Sequence, residues 1–176
     1  MTEFIIIKPN KETRMLPKKL EKELNDQVNL EYDSAWLYLQ MEQYFAAQNL
    51  NGFAHFFAKQ AQEEGKHARK FVEYLNERNS KVVLGALTAP KATYKTIKEV
   101  FEAALKHEQF ITARIEKLMT LAKETKDFSA EIMLQWFVTE QVEEENSMTK
   151  VLDLLEMVGT HGPSLMMLDH QLGSRE

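Results

Sequence analysis

Residues 53–75 read FAHFFAKQAQEEGKHARKFVEYL, and this stretch decides the fold. Phe53, Phe57, Ala61, Ala68, Phe71 and Leu75 recur at three- and four-residue steps, the period of one face of an α-helix. Glu64 and His67 fall on that same face, three residues apart. A carboxylate and an imidazole on the apolar side of a helix need a chemical reason.

Outward from this helix, Glu77-Arg78-Asn79-Ser80 ends it and Gln48-Asn49-Leu50-Asn51-Gly52 reads as the turn before it. Upstream, a helix opening near Pro17 and ending near Ala47 carries Leu20, Leu24, Val28, Glu31, Ala35, Tyr38 and Phe45 inward. Downstream, a third helix opens near Thr93 or at the capping-box pattern Thr96-Ile97-Lys98-Glu99. Its stripe is Ile97, Phe101, Leu105, Glu108, Ile111, Ile115 and Leu118. Asp127 reads as the N-cap of a fourth, with Leu134, Phe137, Gln141, Glu144, Met148, Val151, Leu155 and Val158 on its inner face and Gly159 as its stop. Gly162-Pro163-Ser164 starts a short fifth helix that Gly173 closes.

All four prolines (Pro9, Pro17, Pro90, Pro163) lie at segment edges, so long helices are permitted between them. Four rods of about 30 residues run roughly 45 Å each at about 1.5 Å per residue. Short first and last connections force antiparallel hairpins, and Lys81–Ala92 is long enough to travel the length of the bundle. The expected fold is all-α: a four-helix bundle of two antiparallel hairpins joined by a long crossover, plus a short C-terminal fifth helix. It forms a single domain over residues 1–176, with an N-terminal extension at 1–15, the bundle at 16–158 and the fifth helix at 163–172.

Four glutamates occupy the apolar stripes: Glu31, Glu64, Glu108 and Glu144. An offset of 77 positions carries Glu31 onto Glu108, Glu64 onto Gln141 and His67 onto Glu144, and apolar positions follow, Leu24 onto Phe101 and Phe57 onto Leu134. The two hairpins read as pseudo-twofold copies, and the glutamates lie level about each hairpin turn. Four unpaired carboxylates in a bundle core cost several kcal/mol each, and no Lys or Arg takes a neighbouring stripe position. Two divalent cations balance four carboxylates, with neutral His67 completing the shell. With no cysteine in the chain, the donors are oxygen and nitrogen, which suits iron or manganese, iron leading. Tyr38, two turns beyond Glu31, can reach this layer as a hydrogen-bond donor or a one-electron source. Glu63, Glu140 and Glu143 flank it, placed for a third, wetter cation site.

These residues resemble the prokaryotic non-haem ferritins over nearly the whole length, from about Leu16 to Leu172. The resemblance rests on Asn29-Leu30-Glu31, Gln62-Glu63-Glu64 with His67, Lys106-His107-Glu108, and Trp136-Phe137-Val138 leading into Glu140-Gln141 and Glu143-Glu144-Glu145. The ferritin-like di-iron proteins are a known instance of this bundle. The resemblance implies that Glu31, Glu64 and His67 bind one ferroxidase iron, Glu64, Glu108 and Glu144 the second with Gln141 nearby, and Glu63, Glu140, Glu143 and Glu144 a third. It implies Fe(II) as substrate, O2 or H2O2 as oxidant, a hollow 24-subunit cage and a stored ferric mineral. Haem-containing relatives carry Glu-x-x-His on the fourth helix and a Met after the second helix's Glu; here stand Gln141-x-x-Glu144 and Gly65, so no haem is expected.

The 176 residues carry 22 basic and 27 acidic side chains, net −5, which gives no basic footprint for nucleic acid or an anionic membrane. The short run Phe4-Ile5-Ile6-Ile7 cannot form a signal core or span a bilayer, and the expected location is cytoplasmic. His55, His107, His161 and His170 read as structural or exposed, Glu145 as surface, Trp136 as boundary packing, and Met166-Met167 as ordinary helix packing. Two rival readings are a di-metal oxidase of an organic substrate, which needs an apolar pocket beside the metals, and a metal-free structural bundle, which leaves the buried charge uncompensated.

Overall fold

The computed structural model describes residues 15–159 and 162–174. Most of the N-terminal extension, and His161, lie outside these. Five helices and no strand occur among the described residues: α1 Lys18–Ala46, α2 Asn51–Glu77, α3 Ile97–Glu124, α4 Phe128–Val158 and α5 Pro163–Gly173. None of them is long and apolar enough to cross a membrane.

The caps are where the sequence chemistry places them. Thr96 accepts a hydrogen bond from the Glu99 backbone N–H at 3.1 Å while the Glu99 carboxylate accepts from Lys95 N–H at 2.7 Å, opening α3. Asp127 accepts from Ala130 N–H at 3.2 Å and opens α4. The first three helices end alike. Asn49, Asn79 and Lys126 take positive φ (59°, 54° and 53°), and the next residue's N–H reaches back five residues to Phe45, Leu75 and Ala122 at 3.2, 2.9 and 2.9 Å. These are Schellman stops, which satisfy orphaned carbonyls and turn α1 and α3 into their antiparallel partners and α2 into the crossover.

A four-three alternation of buried positions runs along every long helix, joined by buried neighbours such as Val28, Ala68 and Val100. On α1 they include Leu20, Leu24, Gln27, Glu31, Ser34, Tyr38, Met41 and Phe45; on α2, Phe53, Phe57, Gln60, Glu64, His67, Phe71 and Tyr74. On α3 they include Ile97, Phe101, Ala104, Glu108, Ile111, Ile115, Leu118 and Ala122; on α4, Ala130, Leu134, Phe137, Gln141, Glu144, Met148, Val151 and Leu155. This is the heptad seam of a left-handed bundle. The internal offset of 77 is eleven heptads, which is why the second hairpin repeats the first without losing register. Ser34, Gln60 and Ala104 take the buried places expected of Ala35, Ala61 and Leu105, which are only half-buried. Packing geometry, not side-chain polarity, sets the seam.

Two apolar clusters flank one polar layer. Tyr38, Met41, Phe45, Phe53, Phe57, Phe101, Met148, Val151 and Leu155 belong to one; Leu20, Leu24, Val28, Phe71, Ile111, Ile115, Leu134 and Phe137 to the other. Each fully buried aliphatic or aromatic side chain contributes about 1.5–3 kcal/mol. These clusters hold the layer of Glu31, Glu64, Glu108 and Glu144 between them.

Two devices close the fold. Asn25, Asn29 and Asp33, one turn apart along α1, clamp the crossover: Asn25 bonds Lys81 O and Val83 N, Asn29 bonds Val83 O and Gly85 N, and Asp33 bonds Thr88 N, all at 2.6–3.1 Å. A helical turn of four residues advances about 6 Å and two residues of extended chain about 6.6 Å, so the ladders match. On the other side, the buried Asp169 of α5 accepts from Gly52 and Phe53 N–H at 2.9 and 3.0 Å, capping α2 from outside. A Cβ on Gly52 would stand 1.6 Å from the Asp169 carbonyl oxygen, so only glycine lets α5 dock. Gly52 was expected as a turn residue; it is a helix-packing residue.

Candidate metal centre

Glu31, Glu64, His67, Glu108, Gln141 and Glu144 are all buried, one helix contributing Glu31, α2 the Glu64–His67 pair, α3 Glu108 and α4 Gln141 and Glu144. Glu31, Glu64 and His67 bring one ligand atom each within 4.8 Å of one another, and so do His67, Glu140 and Glu144. The imidazole lies between the groups, Nδ1 at 3.4 Å from Glu64 and Nε2 at 3.8 Å from Glu140. The i, i+3 spacing on α2 puts the pair on one face, and the seam aims that face inward.

Glu108 completes the layer from α3. Its carboxylate accepts a very short hydrogen bond from the Tyr38 hydroxyl and another from Gln141 Nε2 at 3.1 Å. The Tyr38 ring is buried and leans on Phe57 and His107, with centroids at 5.8 and 5.9 Å. Glutamine amides also reach two other carboxylates: Gln27 Nε2 donates to Glu31 at 2.9 Å and Gln60 Nε2 to Glu144 at 2.5 Å.

The charge problem is visible in the acidities. Burial and then the neighbouring Glu64 push Glu31 well above its ordinary 4.5. Burial, then Glu108 and Glu144, does the same to Glu64. Burial raises Glu108 against the opposing hydrogen bonds from Tyr38 and Gln141. Glu144 is pushed up to about 7, by burial first and Glu108 second. Burial and the Glu108 carboxylate hold the Tyr38 phenol well above 10, so it stays protonated and donates. No lysine or arginine among the described residues pairs with any of these four glutamates. A cluster of carboxylates that cannot all ionise alone, with one imidazole and no sulfur, is a receptor for hard divalent cations.

The flanking acids are placed unequally. Glu140 joins His67 and Glu144; Glu63 is half-buried and lines, with Glu140 and His67, an open cavity of about 610 Å³ between α2 and α4. Glu143 is exposed and outside both groups. Glu145, expected on the surface, is half-buried and accepts from Thr112 at 2.5 Å. Trp136 sets its edge against His67, centroids 5.4 Å apart, with the Lys70 ammonium 4.1 Å from its ring centre. His107 lies beside the seam, half-buried: its Nε2 lies 2.7 Å from Ser34 Oγ, and burial lowers its pKa to about 4. Sequence reasoning missed Gln27 and Gln60 because both are polar; the four-three alternation would have found them.

The family model of the ferritin-like domain matches residues 21–158. The chain belongs to the ferritin-like family. It is 44% identical over 160 residues to a probable bacterial non-heme ferritin-like protein of Haemophilus influenzae, covering 91% of this chain and 97% of that protein. It is 37% identical to a bacterial non-heme ferritin of Staphylococcus aureus, covering 92% of this chain and 97% of that one. Among solved structures it resembles a novel open pore ferritin from the hyperthermophilic archaeon Archaeoglobus fulgidus, with TM-score 0.90, 37% identity, and coverage of 92% of this chain and 99% of that one. A humanized archaeal ferritin gives TM-score 0.90 at 36% identity, covering 92% of this chain and 99% of the other. The non-haem branch of the family and the five-helix architecture expected from the sequence both agree with these matches.

Proposed function

We propose that this ferritin-like chain is an iron-storage protein with ferroxidase activity, taking Fe(II) as substrate in the buried carboxylate layer and passing Fe(III) to a ferric mineral inside an oligomeric cage. One observation carries the reading: Glu31, Glu64, Glu108 and Glu144 share a buried layer with His67 and lack any lysine or arginine partner among the described residues. The relatives' printed names support iron as the cargo.

Glu31, Glu64 and His67 bind one Fe(II); Glu64, Glu108 and Glu144 the second, with Gln141 bonded to Glu108; Glu63, Glu140, Glu143 and Glu144 serve a third ion on its way out. Two Fe(II) yield two Fe(III) and two electrons. O2 accepts those electrons with two protons to give H2O2, or H2O2 accepts them with two protons to give two waters. Carboxylate oxygens bind the more highly charged ion more strongly, which favours electron loss. Tyr38 donates to Glu108 and stands by as a one-electron source. The cavity reaching His67 carries the charged side chains of Glu63, Lys66, Arg69, Lys70, Glu73 and Glu140 with Trp136 on its wall, an approach open to ions.

Exposed apolar surface supports self-association into the cage. Tyr32, Trp36, Leu39, Ala61 and Leu87 share one groove, and Met119, Phe128 and Ile132 another. A 24-subunit cage of 20.5 kDa chains elutes at about 490 kDa. A monomer or dimer on the same column excludes storage in a cage. Anaerobic Fe(II) titration followed by air gives two or three irons per subunit. Glu64→Ala abolishes the rapid oxidation phase; unchanged stopped-flow kinetics in that variant remove the site.

A further inference from the structure

We propose that Gln27 and Gln60 are positioning residues of the cation site: each holds one oxygen of a ligand carboxylate through an amide N–H and so turns the other oxygen toward the metal. The proposal rests on the cation-site reading above and adds two residues to it.

Both side chains are wholly buried on seam positions where leucine or methionine packs without polar cost. Gln27, one turn before Glu31, donates Nε2 to Oε1 of Glu31 at 2.9 Å, and Oε2 of Glu31 has no partner among the described residues. The Gln27 carbonyl oxygen is itself buried without a partner. A residue retained for stability would not leave that oxygen orphaned, so the amide is kept for what its N–H does. Gln60 reaches from α2 to α4 and donates Nε2 to Oε2 of Glu144 at 2.5 Å. The two glutamines thus serve the two ligand groups that share His67, Gln27 the one with Glu31 and Gln60 the one with Glu144.

The internal repeat does not explain them. Carried by 77 positions, Gln27 lands on Ala104 and Gln60 on Phe137. Each glutamine is placed separately, beside one carboxylate. A carboxylate with an amide on one oxygen presents the other as a single-oxygen ligand, whereas a free carboxylate can close both oxygens on one ion. The amides therefore aim one oxygen of each glutamate before the ion arrives and leave the ion a position open to an oxidant; without them the carboxylate must be ordered on binding, which weakens binding.

The test uses the metal-stripped full chain and Zn(II), which has the same charge as Fe(II) and does not change oxidation state. Gln27→Met and Gln60→Met, with the leucine variants as second isosteres, are titrated by calorimetry; Glu31→Ala marks which binding step belongs to the first group. Without metal, the methionine variants melt at or above the parent temperature, because an apolar side chain replaces a buried amide. Zn(II) binding falls about tenfold at the step the glutamine serves and changes less than about twofold at the other. The infrared splitting between the two carboxylate stretches on Zn(II) addition narrows as the released carboxylate closes on the ion with both oxygens. Parent-like affinity at both steps with an unchanged splitting overturns the proposal. So does an equal loss at both steps with a lowered melting temperature, which is a packing role. A parent chain that takes up no Zn(II) defeats the cation site itself, and the positioning role with it.

Discussion

Glu144→Gln makes the metal-free protein more stable at alkaline pH. In the folded chain, burial and the Glu108 carboxylate lift the Glu144 carboxyl from its ordinary 4.5 to about 7. Below about pH 4.5 the group is protonated in both folded and unfolded chains and contributes no pH dependence. As pH rises from there, the unfolded chain releases its proton while the folded chain keeps it until about 7. The native state then binds more protons than the unfolded state, so stability falls with rising pH, fully by about pH 8. The difference between 4.5 and about 7 corresponds to about 3 kcal/mol for this mostly buried group. Glutamine cannot ionise and can still accept from Gln60, so the variant escapes the loss. Guanidinium unfolding by circular dichroism, in chelator at pH 4.5, 6 and 8, measures it. The variant matches the parent at pH 4.5 and exceeds it by about 2–3 kcal/mol at pH 8. With saturating divalent cation the order reverses, because binding to the folded state adds stability that the variant forfeits. An advantage that is equal at pH 4.5 and pH 8, or absent at both, refutes the argument that Glu144 is buried among like charges.

Gly52→Ala drives a Cβ into the Asp169 carbonyl and undocks α5, with loss of at least about 5 kcal/mol from the two carboxylate hydrogen bonds and buried Leu165, Leu168 and Leu172. Hydrogen exchange confined to α5 and the start of α2 reports it; parent-like protection there disproves the packing. Asn29→Ala releases the middle rung of the crossover clamp at a cost of about 1 kcal/mol. Protease cleavage within residues 81–92 accelerates while the helices keep their melting temperature. Arg78→Met leaves Asp127, which is 3% exposed, without the guanidinium that bonds both its oxygens at 2.8 Å. A loss of about 3–5 kcal/mol in chemical unfolding is expected, and a loss below about 1 kcal/mol shows that the pair is effectively solvated.

Much of the candidate site is legible in the sequence because a carboxylate on an apolar stripe is an anomaly of charge. Glu31, Glu64, Glu108, Glu144 and His67 stand out against their neighbours, and the offset of 77 ties them together. Gln27 and Gln60 do not stand out, since uncharged polar residues on a drawn stripe read as its edge. Ser34 hides in the same way beside the apolar Ala35, and Ala104 hides beside the larger Leu105. The clamp of Asn25, Asn29 and Asp33 was equally hidden, because its partners are backbone groups of residues 81–88.

The chain alone determines the helices, their stops and the buried charge. Periodicity, capping residues and proline placement are local properties of consecutive residues, and the cost of four unpartnered carboxylates follows from their positions on those helices. Only the tertiary structure decides which oxygen of each carboxylate is already hydrogen-bonded, that His67 stands between two ligand groups, that Glu140 joins them while Glu143 faces solvent, and that Gly52 is needed for α5 to dock. Those outcomes depend on distances of a few ångströms between helices far apart in the chain. Such distances are set by how two apolar clusters pack around the polar layer, and no spacing along one helix encodes them.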